Sequence, residues 1–370
     1  MSNETEPDRV PNAPHPRDTL QLIGQDSAVR EFLHSFNASR LHHGWLITGP
    51  LGVGKATLAW QIARFLLATP ANTVDNLFDD PPTFASLHID RENPVARRIA
   101  ARSEAGLHSI TRSVNPKTGR IRDQIVIDDI RGLTHFLHLS STDGGRRVVI
   151  VDSADDMNMN AANGLLKMLE EPPARTTILL ISHQPSRLLP TIRSRCRELR
   201  LHPLSPEHMH LALQQADPEI EETPALTELS AGSVGEALRI GSLDGVEMYH
   251  QVIQLFSSMP DFDRQRALKL AEAVSQRGNG DKFELLLTLI DICVTRLART
   301  GASGKPPQIE AAPGESALFS KLSPNPPRSR AWANTAQEIS ERSRHGKAVN
   351  LDPATLVLDT FFKIQKTTSV

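Results

Sequence analysis

Residues 45–57, WLITGPLGVGKAT, decide the fold of this chain. The apolar run WLIT predicts a short buried strand, GPLGVGK predicts a loop, and the pattern at 56–68 predicts a helix. A glycine-rich loop between a strand and a helix is typical of a P-loop, whose backbone N–H groups surround phosphate oxygens. The candidate nucleotide-binding residues of this loop are Gly49, Gly52, Gly54 and Lys55.

The loop departs from the P-loop pattern at one position. The pattern requires Ser or Thr directly after the lysine, because that hydroxyl holds Mg²⁺, and this chain has Ala56 there. Thr57 follows, but one residue along a helix is a rotation of about 100°, so its hydroxyl should point elsewhere. We therefore predict a degenerate nucleotide site. Binding of ATP or ADP is left open, and no cofactor is predicted to be required.

Residues 147–157, RVVIVDSADDM, form the second motif. The unbroken apolar run predicts a strand covered on both faces, as in a parallel sheet. Asp152 at its end matches the carboxylate that helps to hold Mg²⁺ in P-loop enzymes. The two carboxylates that follow, Asp155 and Asp156, are assigned capping or surface roles in preference to a catalytic one.

Further buried strands, with helices between them, are predicted at residues 124–127, 177–182 and 198–201. Strands that alternate with helices predict an α/β fold with a doubly wound parallel sheet. Residues 69–123 have weak periodicity, and loops with one or two short helices are expected there. After residue 202 only helical patterns remain, with a loop at 301–316.

These patterns divide the chain into four predicted segments. They are a disordered N-terminal tail at 1–18, an α/β core domain at 19–202, a small helical unit at 203–243 and a larger helical domain at 244–370. The tail is polar and rich in proline, so it offers little apolar surface to bury.

Composition excludes several classes of protein. With 41 Lys+Arg against 43 Asp+Glu, the net charge of −2 argues against a free-standing basic DNA binder. Aromatic residues make up 4%, which argues against RNA modules built on base stacking. The two cysteines, Cys196 and Cys293, do not make a disulfide framework or a four-cysteine zinc site. With no signal peptide or apolar span in the sequence, a cytoplasmic protein with no membrane contact is expected.

A third group of candidates combines Ser182, at the end of a predicted strand, with the run Ser194-Arg195-Cys196. The planar guanidinium of arginine suits phosphate oxygens, and an arginine supplied by a neighbouring subunit accelerates phosphoryl transfer. The alternative is a basic surface strip that forms ordinary salt bridges. The residues themselves leave both interpretations open.

Taken together, these motifs resemble the clamp-loader branch of AAA+ proteins. The resemblance depends on LIGQ at 22–25, HGWLITGPLGVGK, RVVIVDSADDMNMNAANGLLKMLEEPP, TILLISHQPSRLLPTIRSRC and GSVGEAL, and it covers residues 19 to about 242. It implies a RecA-like AAA+ core, a helical lid at 203–243 and a C-terminal collar at 244–370. AAA+ ATPases normally have a glutamate after Asp152, where this chain has Ser153. They also have an arginine at the fourth position of Gly-Ser-x-Arg, where this chain has Gly235.

Within this branch, a defective ATP site with a retained Ser-Arg-Cys run resembles the delta-prime family. The resemblance implies that Arg195, with Ser194 and Cys196, is a finger for ATP bound by a neighbouring gamma/tau subunit. The implied partners are gamma/tau and delta subunits and, through the complex, the sliding clamp and primed DNA. Zinc is not expected, because residues 69–123 contain no cysteine. The alternative is an active gamma/tau-like ATPase.

Overall fold

A five-stranded parallel sheet forms the centre of the first part of the chain. In this computed structural model the described residues are 6, 9–10, 13–69, 83–138, 145–276, 278–349 and 351–368. The strands are β1 (Gly44–Thr48), β2 (Leu107–Ile110), β3 (Arg147–Val151), β4 (Thr176–Ser182) and β5 (Arg197–Arg200). Their order across the sheet is β2-β3-β4-β1-β5, and every pairing is parallel. The predicted α/β fold class, a parallel sheet with helices followed by further helices, is confirmed.

The three central strands are the ones with unbroken apolar sequences. β1 and β4 are buried along their whole length, and in β3 only Arg147 is partly exposed. The two edge strands carry polar residues, and in β5 only Leu199 is buried. Burial on both faces of a parallel sheet explains why the central strands could be identified from sequence.

Helices cover the sheet, and polar side chains cap the starts of several of them. The helices of this part are α1 (Asp26–Asn37), α2 (Lys55–Ala68), α3 (Pro94–Ala100), α4 (Ile127–His138), α5 (Met159–Glu170), α6 (Pro190–Arg193) and α7 (Pro206–Ala216). The Asn158 side chain caps α5 by accepting a hydrogen bond from the Ala161 N–H. Ser205 accepts from the His208 N–H at the start of α7.

The strand predicted at 124–127 is wrong. Ile125 is fully buried, but it forms only an isolated bridge with Met157, and α4 already begins at Ile127. Asp129 accepts a hydrogen bond from the Val126 N–H at 2.8 Å, which stabilises this helix start. The strand at the β3 side of the sheet is instead β2, which lies in the region where only loops and short helices were expected.

The described residues of the N-terminal segment pack against the first part of the chain, unlike the disordered tail expected for 1–18. Ala13 and His15 are buried, and the His15 ring lies edge-on against Trp60. The buried Arg64 donates a hydrogen bond to the Arg17 carbonyl at 2.7 Å. These contacts were not evident from sequence because they join polar residues that are far apart in the chain.

Across the rest of the described residues the regular secondary structure is helical. The helices are α8 (Pro224–Ser230), α9 (Val234–Ser242), α10 (Gly245–Ser257), α11 (Arg264–Ser275), α12 (Gly280–Ser303), α13 (Glu315–Leu322), α14 (Pro326–Ala348) and α15 (Pro353–Thr368). The chain divides into two compact units, Met1–Ala212 with Ser233–Gly235, and Leu213–Gly232 with Glu236–Val370. The boundaries predicted at 202 and 243 remain predictions.

Candidate nucleotide site and arginine loop

The loop between β1 and α2 has backbone conformations that favour glycine. The φ angles of Gly49, Gly52 and Gly54 are 142°, 74° and 98°, a region that residues with a side chain rarely adopt. α2 begins at Lys55 directly after the loop. The loop therefore lies at a helix N-terminus, where backbone N–H groups and the helix dipole favour anions.

Lys55 is held against the loop. Only 3% of its surface is exposed, and its Nζ donates hydrogen bonds to the carbonyl oxygens of Gly49, at 2.7 Å, and Pro50. Burial lowers the pKa of Lys55 to about 8, while the carboxylates of Asp152 and Asp155 act in the opposite direction. The buried ammonium group, the glycine backbone and Asp152 thus lie together, as the sequence motifs implied.

The ends of β3 and β4 bring Ser153 and His183 together. The strands are parallel neighbours with Val151 opposite Leu180, so the residues that follow them lie at the same edge of the sheet. Ser153 Oγ lies 3.2 Å from His183 Nε2. Burial, followed by the charge of Lys55, lowers the pKa of His183 to about 4, which makes the imidazole neutral at pH 7. A hydroxyl and a neutral imidazole thus occupy the place of a water-activating carboxylate.

Asp155 links these two strand ends. It is 8% exposed, and its Oδ2 accepts hydrogen bonds from the backbone N–H groups of His183, at 2.7 Å, and Gln184, at 3.0 Å. The structural role favoured for Asp155 is therefore present, but the residue is buried instead of lying on the surface. Asp156 forms a partly exposed ion pair with Arg112 at 3.5 Å.

Several polar atoms at this edge of the sheet have no hydrogen-bond partner among the described residues. They are Ser182 Oγ, His183 Nδ1 and Asp155 Oδ1. Ser182 is completely buried. Buried polar atoms are usually paired, so a cluster of unpaired ones is typical of a site that receives a polar ligand or water.

The segment Ser233–Gly235 lies directly on the glycine loop. Ser233 Oγ donates to the Leu51 carbonyl at 2.8 Å, and the Gly235 N–H donates to the Gly52 carbonyl at 3.1 Å. A Cβ atom on Gly235 would come within 2.8 Å of Gly52 Cα. The position that the AAA+ pattern assigns to an arginine therefore packs backbone against backbone and has no room for a side chain in this conformation.

Arg195 lies at the opposite end of the strands from this site. β1 runs from Gly44 to Thr48, and Trp45 pairs with Arg197, the first residue of β5. Arg195 therefore lies near the start of β1, whereas the glycine loop follows its end. At about 3.3 Å per residue, the strand separates the two by more than 10 Å. The Arg195 side chain is 37% exposed, and its Nη2 forms an ion pair with Glu170 Oε1 at 2.9 Å.

The neighbours of Arg195 in the Ser-Arg-Cys run have different surroundings. Ser194 is exposed, and its hydroxyl donates to the Thr191 carbonyl at 3.1 Å. Cys196 packs against the hydrophobic core of the sheet, and burial raises the pKa of its thiol to about 12. Cys196 therefore anchors the loop as a neutral apolar group, because so weak an acid does not form a thiolate near neutral pH.

Two residues of these sites were missed by sequence reasoning. His183 directly follows Ser182, and the parallel pairing of two strands that both end in polar residues was the available signal. Glu170 is 25 positions before its partner Arg195 in sequence, and no local pattern predicts their contact. His43 Nε2 lies 3.0 Å from the Leu169 carbonyl oxygen.

Comparison with known proteins shows what this chain is similar to. A family model described as "DNA polymerase III, delta subunit" matches residues 24–205. The curated DNA polymerase III subunit delta' of Pseudomonas aeruginosa is 36% identical over 62% of this chain and 65% of that protein. The chain is therefore similar to DNA polymerase III subunits named delta'. The Escherichia coli delta' subunit is 32% identical over 62% of this chain and 64% of its own length. The chain thus matches just under two thirds of the length of these delta-prime relatives.

DNA polymerase III tau subunits match this chain at lower sequence identity than the delta' subunits do. The Escherichia coli DNA polymerase III subunit tau is 26% identical over 74% of this chain but only 40% of that protein. Among solved structures, a DNA polymerase III gamma subunit-related protein from Thermotoga maritima is 17% identical, covers 91% of this chain and 99% of its own, and has a TM-score of 0.40.

Two further observations concern metal ions and membranes. Within the part of the chain that the structure describes, no group of three or more His, Cys, Asp and Glu side chains is arranged to hold a metal ion. Across the same residues, none of the helices combines the length and apolar character needed to cross a bilayer.

Proposed function

We propose that this chain is the delta-prime subunit of a bacterial DNA polymerase III clamp loader, acting beside gamma/tau and delta subunits. In that complex it supplies Arg195 to ATP bound by a gamma/tau neighbour and hydrolyses little ATP itself. The complex would load the sliding clamp onto primed DNA. The relatives named delta' support the subunit assignment, and the role of Arg195 is supported by its geometry.

The separation of Arg195 from its own glycine loop is the observation that carries this proposal. An exposed arginine at the start of β1 cannot reach phosphate bound at the end of β1 in the same chain. It can reach a nucleotide on an adjacent subunit. The guanidinium keeps its charge at any physiological pH and presents several N–H donors to phosphate oxygens. Such a residue stabilises the charge that develops as the γ-phosphoryl group is transferred.

The chain's own site contains groups that can bind phosphate but lacks groups that hydrolysis requires. The glycine backbone and Lys55 would hold phosphate oxygens, and Asp152 and Ser182 lie at the ends of the adjacent strands. The hydroxyl ligand for Mg²⁺ is absent at Ala56, and the neutral pair of Ser153 and His183 is a poor base. Nucleotide binding at this site would therefore be structural, without turnover.

The test compares ATP hydrolysis by the purified chain with hydrolysis by a loader reconstituted from gamma/tau, delta and either this chain or its Arg195→Ala variant. Negligible activity of the chain alone is expected. In the complex, Arg195→Ala should slow hydrolysis at the adjacent site by about 10³–10⁵-fold. The total ATP turnover of the complex should therefore fall by the fraction that this site contributes. The matched control is Arg193→Ala, which removes the arginine at the end of α6, two residues before Arg195.

Other outcomes would exclude parts of the proposal. Substantial DNA-stimulated hydrolysis by the chain alone would contradict the defective-site argument and favour a gamma/tau-like ATPase. An Arg195→Ala complex with wild-type turnover would remove Arg195 from the reaction. Clamp loading measured in the same preparations would show whether the complex assembled.

A further inference from the structure

We infer that Glu170 is the positioning residue of Arg195, which it fixes in the orientation that the neighbour's ATP requires. The inference rests on the proposed function. Arg195 Nη2 forms an ion pair with Glu170 Oε1 at 2.9 Å, and the Thr191 carbonyl accepts a hydrogen bond from Arg195 Nη1 at 3.0 Å. The guanidinium is thus bound at both terminal nitrogens by groups of its own chain.

The carboxylate comes from a helix end that is itself fixed. Glu170 is the last residue of α5, and Leu169 before it is buried at 2% exposure. His43 Nε2 donates to the Leu169 carbonyl at 3.0 Å, which satisfies one of the free carbonyls of the helix end. Since His43 directly precedes β1, the position of Glu170 is tied to the central sheet.

The backbone of Arg195 is fixed just as closely. The Arg195 N–H donates to the Ile192 carbonyl at 3.1 Å, and the Ile192 side chain is fully buried. On the other side of Arg195, the Cys196 thiol packs against the hydrophobic core. With both backbone anchors in place, the remaining freedom of Arg195 lies in its side-chain torsions, and these are what Glu170 and the Thr191 carbonyl restrict.

The two contacts leave donors available for phosphate. A guanidinium has five N–H groups, and the contacts with Glu170 and Thr191 use one on each terminal nitrogen. The remaining N–H groups, on a side chain that is 37% exposed, can meet an acceptor from outside the chain. A positioned arginine loses less freedom when it binds phosphate than a mobile one, so the benefit appears in the transition state.

The test uses the reconstituted loader with Glu170→Ala, Glu170→Gln and Glu171→Ala, each in the presence and absence of Arg195→Ala. Glu170→Ala should lower kcat of the Arg195-dependent hydrolysis about threefold to tenfold, the range expected from releasing one long side chain. KM for ATP should stay within about twofold, because the contact acts on the transition state. Glu170→Gln should restore only part of the rate, since it keeps the length of the side chain but lacks the charge that attracts the guanidinium. Glu171→Ala, at the exposed neighbouring position, should have no effect.

The double variant separates positioning from general structure. In the Arg195→Ala background, Glu170→Ala should change nothing further, because there is no guanidinium left to orient. An unchanged or increased rate in Glu170→Ala, or an equal loss in the presence and absence of Arg195, overturns the inference while leaving the proposed function intact. If Arg195→Ala itself leaves turnover unchanged, the proposed function fails, and the role of Glu170 with it.

Discussion

Glu315 in the second unit and Asp155 in the first are both buried carboxylates, but only Glu315 has partners on both oxygens. Its Oε1 accepts from Tyr249 Oη at 2.6 Å and Arg296 Nε at 2.9 Å. Its Oε2 accepts from Arg296 Nη2 at 3.2 Å and the Ala311 N–H at 2.7 Å. Burial, then the nearby Cys293 and Glu315, raises the pKa of Tyr249 well above its ordinary value. The phenol therefore stays protonated and donates.

The cluster in the first unit is incompletely paired. Asp155 Oδ2 accepts two backbone N–H groups, while Asp155 Oδ1, Ser182 Oγ and His183 Nδ1 are without partners among the residues described. A fully paired buried network stabilises a unique packing, whereas an incompletely paired one costs desolvation free energy. The difference indicates that the cluster around Glu315 stabilises the second unit. The cluster around Asp155 retains the form of the proposed nucleotide site.

Among the substitutions that test this comparison of the two clusters, Arg296→Met is expected to change the free energy of unfolding most. The side chain is 13% exposed and also pairs with Glu228. Its removal leaves the fully buried Glu315 without its cation, which should lower the free energy of unfolding by about 3–5 kcal/mol. Urea denaturation followed by circular dichroism would measure the change, with the unfolding of each unit fitted separately if two transitions appear.

Arg342→Met is the matched control for that experiment. Arg342 pairs with Asp359 at 2.7 Å, but the two side chains are 57% and 41% exposed. An exposed ion pair contributes about 0–1 kcal/mol, so the control should unfold almost like the wild type. If both substitutions cost the same, the network around Glu315 does not stabilise the second unit more than a surface ion pair does.

A second, smaller effect concerns pH and the first cluster. The pKa of His183 is lowered from 6.5 to about 4 in the folded chain by burial and then by Lys55. Between these values the unfolded chain binds the proton more readily, so this contribution to stability is complete above pH 6.5 and is lost as the pH falls towards 4. At about 1.4 kcal/mol per pKa unit, the loss is at most roughly 3 kcal/mol.

His183→Asn should flatten the dependence of the unfolding free energy on pH between 7 and 4. The measurement is a set of urea denaturation curves at several pH values in that interval. His88→Asn, at an exposed position in the same unit, should leave the slope unchanged. His43 and His108 are partly buried, which lowers their pKa values, and they contribute in the same direction in both variants. Equal slopes for wild type and His183→Asn would show that His183 titrates normally.

The sequence predicted the elements whose pattern is long or strongly apolar. β1, β3 and β4 were identified because both of their faces are buried, and α2 because its pattern at 56–68 directly follows the glycine-rich loop. β2 was missed because it is a four-residue edge strand with only Ile110 buried. The run at 124–127 wrongly predicted a strand, because a short apolar run does not distinguish a strand from the start of a buried helix.

The candidate site was predictable where chemistry depends on neighbours in sequence. The glycines, Lys55 and Asp152 were found from motifs, and the structure gathers them at one edge of the sheet. Contacts that depend on tertiary packing were not predictable. The close approach of Gly235 to Gly52 and the pairing of Glu170 with Arg195 join residues from separate elements. Knowledge of strand register would have been required to anticipate the pair of Ser153 and His183.

The smallest effect is expected from Ser182→Ala, and it tests the comparison most directly. Ser182 is completely buried with an unpaired hydroxyl. Removing a polar group that makes no hydrogen bond should change the unfolding free energy by less than about 0.5 kcal/mol or stabilise the chain. Ser35→Ala is the matched control, because Ser35 is 2% exposed and its hydroxyl accepts from Arg197 Nη1 at 2.7 Å.

Ser35→Ala leaves a charged donor without its acceptor, so it should cost about 1–3 kcal/mol. A large cost for Ser182→Ala, equal to that of Ser35→Ala, would mean that the Ser182 hydroxyl has a bound partner in solution. Adding ATP or ADP to both variants then separates the possibilities. If nucleotide raises the midpoint of the wild type but not of Ser182→Ala, the pocket binds nucleotide through Ser182. If nucleotide shifts neither, the partner is water and the pocket is a remnant of a binding site.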